Sequence, residues 1–496
     1  MNPDLSPTRR RKAYVETYGC QMNVADGELM QGILAARGYE LVATPEEADV
    51  VLVNTCAIRD HAEQRVIGRV GELWRIKRDR PELVIGVTGC MAQRLGSSLL
   101  EQAPYVDLVM GPDGYRSLPE VLERLSPLET GASPSASPTP SPSPRDPADA
   151  GGRRKARLPV VGTIASRQPP APERAAVLAF QPHENYEGLE VRRSSRVSAW
   201  VPVQRGCNYR CTYCIVPYVR GDEKNRSPEQ VLAEVRRVVE QGVPEVVLLG
   251  QTVNSYEHGD CDFPRLLRAV ARVEGVRRVR FTSPHPNDFT PALVEVMATE
   301  PTVCRQLHLP VQSGHDRTLR RMLRRYTVAE YLARVALARA AIPGLALSTD
   351  FIVGFPGETE AEFEATLDLA RRVRYDDAFL YRFSPRDGTP ATRLPAAQFI
   401  DPAVGQARLE RLIELHRQIQ SEINTAEVGR VEEVLVERAA RSPGDVLGRT
   451  GSNKVVAFPG DGSLVGSFLH VRLTATTGAT FRGVVAGAPA APERVA

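Results

Sequence analysis

The chain has 496 residues, of which 42% are apolar and 25% charged, with a formal net charge of +3. That length asks for two to four domains, and the composition excludes a disordered or collagen-like chain. No run of about 18 apolar residues occurs, so no membrane span is expected, and the basic N-terminal stretch MNPDLSPTRRRK lacks the apolar core of a secretory signal. Eight cysteines without such a signal point to a reducing, cytoplasmic setting, where Cys groups serve metals or catalysis rather than disulfides. With so small a net charge, nucleic-acid contact has to be argued from local patches.

The expected fold class is α/β. Residues 1–125 form the first expected domain, alternating strand and helix patterns from residue 13 on. AYVETYG precedes a helix over about 26–37, VVLVNT a charged helix over about 59–78, LVIGVTG a short helix, and VDLVMG a last helix near 118–125. Such alternation predicts a parallel sheet covered by helices. Cys20, Cys56 and Cys90 each follow one of the first three strands. The carboxyl ends of strands form the ligand crevice of an open α/β sheet, so the three thiols are expected to converge on one edge. The plainer reading is three unrelated buried thiols; their recurrence at the same point of three successive units argues against it.

Residues 126–192 are rich in Pro, Ser and Ala and cannot bury a core, which predicts a semi-extended linker. Within it, VVGTIA and AAVLAF are apolar enough to pack against a neighbour. Residues 193–424 return to alternation. VSAWVPVQRG, EVVLLGQ, RRVRFTS, QLHLPV, LALSTDFIVGF and DAFLYRFS read as six strands with helices between them. This predicts a partial (β/α)6 barrel, with its chemistry at the C-terminal strand ends. A helical run near 406–421 is followed, over 425–490, by VEEVLVERA, VVAFP, GSFLHVRLT and FRGVVAG, short strands set apart by turn residues. They predict a small antiparallel β-barrel.

Cys207, Cys211 and Cys214 lie in GCNYRCTYC, just past the first barrel strand. Three thiolates at this spacing can hold three irons of a [4Fe–4S] cluster, leaving the fourth iron open to a small molecule. Structural zinc is the alternative. It normally closes with four ligands, often two Cys-x2-Cys pairs, and here only Cys211 and Cys214 form such a pair.

This loop resembles the cluster loop of the radical S-adenosylmethionine superfamily, and the chain from Tyr14 to Gly483, apart from the linker, resembles its methylthiotransferase family. The motifs are TYGCQMN, NTCAIRDHAEQR and GCMAQR in the first domain. In the barrel they are RGCNYRCTYCIVPYVRG, LLGQTVNSY, TSPHP, LHLPVQSG and STDFIVGFPGET. GRTGSNKVVAFPG near the C-terminus resembles an RNA-binding TRAM module. NTCAIRDHAEQR, LLGQTVN and TSPHP are most similar to the MiaB-type branch, which acts on isopentenyl-adenosine beside the anticodon in tRNA. Other branches act on threonylcarbamoyl-adenosine and on an aspartate of a ribosomal protein. Gly27 departs from the serine common after TYGCQMN, and the linker is unusually long.

The resemblance implies radical 2-methylthiolation of isopentenyl-adenosine in the tRNA anticodon stem-loop, with two S-adenosylmethionine molecules per turnover and no membrane. It assigns one [4Fe–4S] cluster to Cys207, Cys211 and Cys214, and an auxiliary one, carrying the sulfur, to Cys20, Cys56 and Cys90. A low-potential electron donor of flavodoxin or ferredoxin type is implied as well. Tyr213, Gln251, Gln312, Ser313 and Asp350 are the candidates for contact with S-adenosylmethionine, with Gly354 and Gly357 giving close backbone approach. Arg192, Arg193, Arg196, the run that includes Arg317, Arg320, Arg321, Arg324 and Arg325, and Arg449 and Lys454 are the candidates for RNA contact, against an ordinary solvated role. His285 and His308 read as packing or hydrogen-bonding residues, because no nucleophile or paired carboxylate accompanies them. Cys261 and Cys304 read as structural thiols. The alternatives are the threonylcarbamoyl-adenosine enzyme and a non-catalytic iron–sulfur RNA-binding protein.

Overall fold

In the computed structural model, which describes residues 10–57, 60–126 and 174–487, the apolar runs of the first domain become strands. They are β1 (Lys12–Thr17), β2 (Glu40–Leu41), β3 (Val50–Thr55), β4 (Val84–Gly89) and β5 (Leu108–Met110). All pair in parallel in the order β2-β1-β3-β4-β5. β3 and β4 are buried along their whole length, which continuous apolar strands require when helices cover both faces. One face packs against α1 (Gln21–Ala36), through Leu29, Met30 and Ile33. The other packs against α2 (Asp60–Asp79), through Val66, Val70 and Leu73, and against Met91 of α3 (Cys90–Leu95).

Two boundaries differ from the sequence expectation. α1 begins at Gln21, not near residue 26, because Met22 and Ala25 bury against a different domain. The predicted linker also ends early. β6 (Ala175–Val177), from the apolar run AAVLAF, joins β5 as a sixth parallel strand. Beyond it, Tyr186 buries against Tyr115, and the Arg205 guanidinium lies 3.6 Å over the Tyr186 ring. The expected linker between 127 and 173 lies outside the described residues.

The second domain begins with β7 (Ser198–Pro202). Strands Glu245–Leu249 and Arg278–Phe281 pair beside it in parallel. A bridge from Val279 to Val303 leads to a parallel set of Gln306–His308, Ala346–Val353 and Asp377–Arg382. Among the described residues β7 and Asp377–Arg382 do not pair, so the barrel is partial, as expected. On every strand one face is apolar: Val246, Leu248, Phe281, Leu307, Leu347 and Phe351 pack outward under the helices. The alternate residues therefore face the lumen.

The long helix Pro402–Glu427 runs outside the barrel into a closed barrel of five strands spanning Val431 to Val485. Its core holds Val434, Val436, Phe458 and Phe481. Val455–Ala457 and Thr480–Arg482 pair in parallel, so this barrel is not wholly antiparallel as expected. This pair, together with the antiparallel one between Val431–Leu435 and Phe468–Arg472, closes the sheet and removes its edges. The small barrel seats on the foot of the large one. Arg278 donates to the carbonyls of Arg449 (2.8 Å) and Glu433 (2.7 Å), and Arg280 to the carbonyl of Thr450 (2.7 Å). No helix among the described residues is long and apolar enough to cross a membrane.

Candidate functional site

The loop after β7 carries the Cys-x3-Cys-x2-Cys motif. Gln204–Arg205 pairs with Lys224–Asn225 and closes the loop at its base. Gly206 has φ +75°, and a Cβ there would stand 2.0 Å from the Asp222 carbonyl oxygen, so only glycine fits this closure. Within the loop the Cys207 N–H donates to the Gly221 carbonyl (3.2 Å) and the Cys214 N–H to that of Cys211 (3.0 Å). The Cys207 thiol lies 3.0 Å from the Thr252 hydroxyl, and Gln204 holds Thr252 by accepting its N–H at 2.9 Å. Arg324 approaches the Cys211 sulfur at 3.6 Å, while its other nitrogens donate to the Tyr326 hydroxyl and the Pro310 carbonyl, each at 2.9 Å. Burial pushes the Cys214 thiol up to about 12 and also raises Cys207.

The N-terminal thiols meet as the strand positions demand. Cys20 caps α1, Cys56 follows β3 and Cys90 opens α3. The Cys20 thiol is pulled down to about 6, first by its hydrogen bond with Cys56, and burial raises Cys90. Gly19 permits this closeness: a Cβ there would lie 2.5 Å from the Cys56 Cβ.

One short helix links the two sets. α4 (Val216–Arg220) starts two residues after Cys214, and its Val219 packs with Cys90 and Ala57. Its last residue, Arg220, donates from Nη2 to Asp26 (2.7 Å) and from Nε to the Cys90 sulfur (3.2 Å). Both members of this ion pair are buried, and Arg220 Nη1 and Asp26 Oδ1 have no hydrogen-bond partner among the described residues. A buried N–H donor left over beside three thiols suits an anionic sulfur cluster. Arg324 gives the other set a buried cation in the same way. The described His, Cys, Asp and Glu side chains form no group converging on a single ion. A cubane asks for no such convergence, because each thiolate takes its own iron. The residues present therefore fit the group.

The remaining expected residues fall into two classes. Tyr213 packs beside Met322, Phe355 and Ala391 under the loop. Gln251 carries a buried Oε1 with no partner among the described residues, as a ligand-facing amide would. Gln312 holds φ +73°, rare outside glycine, with its N–H on the Asp350 carbonyl at 2.9 Å. Ser313 is fully buried and accepts the His315 N–H at 3.4 Å. Asp350 lies 3.5 Å from His308, on the lumen side.

Among the RNA candidates, Arg192, Arg196 and Arg320 are exposed, whereas Arg193 pairs with Glu234. Arg449 pairs with Glu437 at 2.9 Å. Two expectations are corrected. Arg324 is only 5% exposed, because it serves the Cys211 loop. The Lys454 side chain is 8% exposed, because it pairs with Glu427 (2.7 Å) and Asp376 (3.0 Å) across the domain junction.

His285 stacks on Tyr209 at 3.8 Å, and burial pulls its imidazole down to about 2, so it packs as a neutral ring. Cys304 is buried beside Arg280, and Cys261 sits in a small hairpin with Glu257–His258. Sequence reasoning missed Arg220, Asp26, Gln204 and Thr252. Thr252 adjoins the singled-out Gln251, but nothing local in the sequence marks Arg220 and Asp26 as partners.

Known proteins match this architecture. Residues 12–111 match the family described as uncharacterized protein family UPF0004, residues 201–370 the radical SAM superfamily, and residues 425–486 the TRAM domain. A radical S-adenosylmethionine methyltransferase, TsrM from Kitasatospora setae, shares the fold with a TM-score of 0.54 at 14% identity, covering 82% of this chain and 89% of that one. A tRNA-2-methylthio-N(6)-dimethylallyladenosine synthase of Moorella thermoacetica is 43% identical over 94% of this chain and 96% of its own. The protein of that name from Anaeromyxobacter dehalogenans is 43% identical over 96% of this chain and 94% of its own. The same name belongs to a relative from Chlorobium chlorochromatii, 41% identical over 95% of this chain and 96% of its own. With such identity along nearly its whole length, the chain belongs to the tRNA-2-methylthio-N(6)-dimethylallyladenosine synthase family of radical S-adenosylmethionine enzymes.

Proposed function

We infer that this chain converts N6-isopentenyl-adenosine in tRNA to its 2-methylthio derivative, using iron–sulfur chemistry and S-adenosylmethionine. The observation that carries the reading is the short helix α4, which leaves the loop of Cys207, Cys211 and Cys214 and sets Arg220 on Cys90 of the other trio, in a chain of this family. Adenine C2 is neither acidic nor electrophilic enough for ordinary acid–base substitution, so a bound cofactor has to supply the reactivity. Cys207, Cys211 and Cys214 would hold a [4Fe–4S] cluster that would supply reductive cleavage of S-adenosylmethionine, and Cys20, Cys56 and Cys90 a second that would carry the sulfur.

The chain's own residues hold and screen these groups. Thr252 offers its hydroxyl to Cys207, and Arg324 sets a positive charge at Cys211. Met22 and Ala25 of α1 pack on Trp200, Val247 and Leu249, and Cys20 packs against the same cluster. Gln251, Gln312 and Asp350 stand ready for S-adenosylmethionine, with Ser313 buried behind Gln312 and Tyr213 packed beneath the loop. The TRAM-like barrel and the exposed Arg192, Arg196 and Arg320 supply the contact with the anticodon stem-loop. Electrons come from a flavodoxin- or ferredoxin-type donor, because the cluster must work near −400 mV or below.

The test is the tRNA nucleoside profile of a strain lacking the gene, read by mass spectrometry. The 2-methylthio derivative of isopentenyl-adenosine should disappear, and the unmodified precursor should accumulate. Its persistence, with loss of a threonylcarbamoyl derivative in its place, would transfer the assignment to the sister reaction. Reconstituted enzyme should hold about eight irons, and about half should go when Cys20, Cys56 and Cys90 are all changed to Ala.

A further inference from the structure

The lumen of the partial barrel has two unlike walls. On one, Trp200, Val247 and Leu249 are covered by Met22 and Ala25 of α1, which also brings Cys20 against them. On the other, strand register aligns His308 with Ser348, Asp350 with Phe379 and Ile352 with Tyr381. These residues alternate with Leu307, Leu347 and Phe351, which belong to the outward core, and Leu380 packs with the helix-side core too. The second wall thus faces the same space as Cys20, yet Phe379 is 47% exposed and Tyr381 36%. The Phe379 ring meets His308 edge-on at 5.7 Å, and His308 is held by Ser348 (3.1 Å) and Asp350 (3.5 Å). A large aromatic left open inside a barrel marks a surface built for an apolar or planar ligand.

The chain on either side of this wall leads to the reactive groups and to the RNA-binding domain. Above the strand, the Ala391 N–H donates to the Thr212 carbonyl of the Cys loop at 2.8 Å. Below it, Asp376 pairs with Lys454 of the TRAM-like barrel at 3.0 Å.

We propose that Phe379 is a specificity-determining residue that receives the N6-isopentenyl-adenine of the substrate RNA, with Tyr381 extending the apolar wall and His308 meeting the polar edge of the base. The occupant is a flipped, prenylated purine, because only that part of the substrate combines a π-face and a five-carbon apolar arm with polar base edges. This inference rests on the tRNA reading above.

The test compares reconstituted wild type, Phe379→Ala and Phe379→Leu. Binding is measured for an anticodon stem-loop carrying isopentenyl-adenosine and for the same RNA with plain adenosine. Phe379→Ala should weaken the prenylated RNA about ten-fold and the plain RNA less than about two-fold, while Phe379→Leu stays within about three-fold of wild type on both. Iron content and RNA-free release of 5′-deoxyadenosine should not change. Phe379 is half exposed, so truncation leaves the core intact; should the alanine variant lose iron, Phe379→Gln gives the same comparison. Equal losses on both RNAs, or none, overturn the inference while wild-type methylthiolation stands. Failure of wild type to methylthiolate would sink the tRNA reading instead.

Discussion

At the scale of single residues, two buried arginines organise this protein. Arg324 turns from the run it shares with Arg320 and Arg325 and points inward to Cys211. Arg220 joins Asp26 to Cys90. Removing one partner of a buried pair leaves an uncompensated charge and costs about 3 kcal/mol. Arg220→Leu is therefore expected to lower the denaturation midpoint and about halve the bound iron, leaving the share held by Cys207, Cys211 and Cys214. Adding Asp26→Asn removes the orphaned charge, so it should restore most of the stability and none of the iron. Iron analysis and denaturant titration read the two effects apart; recovery of the full iron in the double variant would make Arg220 purely structural.

At the scale of elements, the loop and its closure decide the radical site. Gly206 combines φ +75° with a 2.0 Å approach of a hypothetical Cβ to the Asp222 carbonyl. Gly206→Ala should cost at least about 2 kcal/mol, from the left-handed backbone and the clash together. It should also bleach the cluster absorbance of the triple Cys20, Cys56 and Cys90 alanine background, where only the radical site contributes. The elements themselves were legible to different depths. β3 and β4 read directly as VVLVNT and LVIGVTG, because a strand buried on both faces is continuously apolar. The first turn of α1 did not, since Met22 and Ala25 serve the barrel and break the pattern its own sheet would impose. β6 was hidden in a Pro/Ser-rich surrounding, with AAVLAF its single local sign.

At the scale of the whole molecule, the TRAM-like barrel and the large barrel share a junction of buried charges that includes Arg278, Arg280 and Lys454. Lys454 therefore holds domains together, whereas the exposed Arg320 is free to meet phosphate. Arg320→Gln should reduce the slope of log affinity against log salt for the anticodon stem-loop by about 0.7. Lys454→Gln should leave that slope unchanged and lower the thermal midpoint. Salt titrations of RNA binding and thermal melts distinguish the two, and a slope change on Lys454→Gln would return it to the RNA surface.

The thiol spacing of Cys207, Cys211 and Cys214, the strand-end placement of Cys20, Cys56 and Cys90, and the three expected folds were determined by the sequence alone. Each of these depends on short-range periodicity or on contiguous spacing, which a chain carries wherever it is cut. Tertiary structure alone decided that Arg220 reaches Asp26 and Cys90, that Arg324 and Lys454 turn inward, and that α1 covers one wall of the lumen and leaves Phe379 open on the other. Burial and ion pairing belong to surfaces brought together from distant segments, so the residue that will cover a given side chain is not written near it.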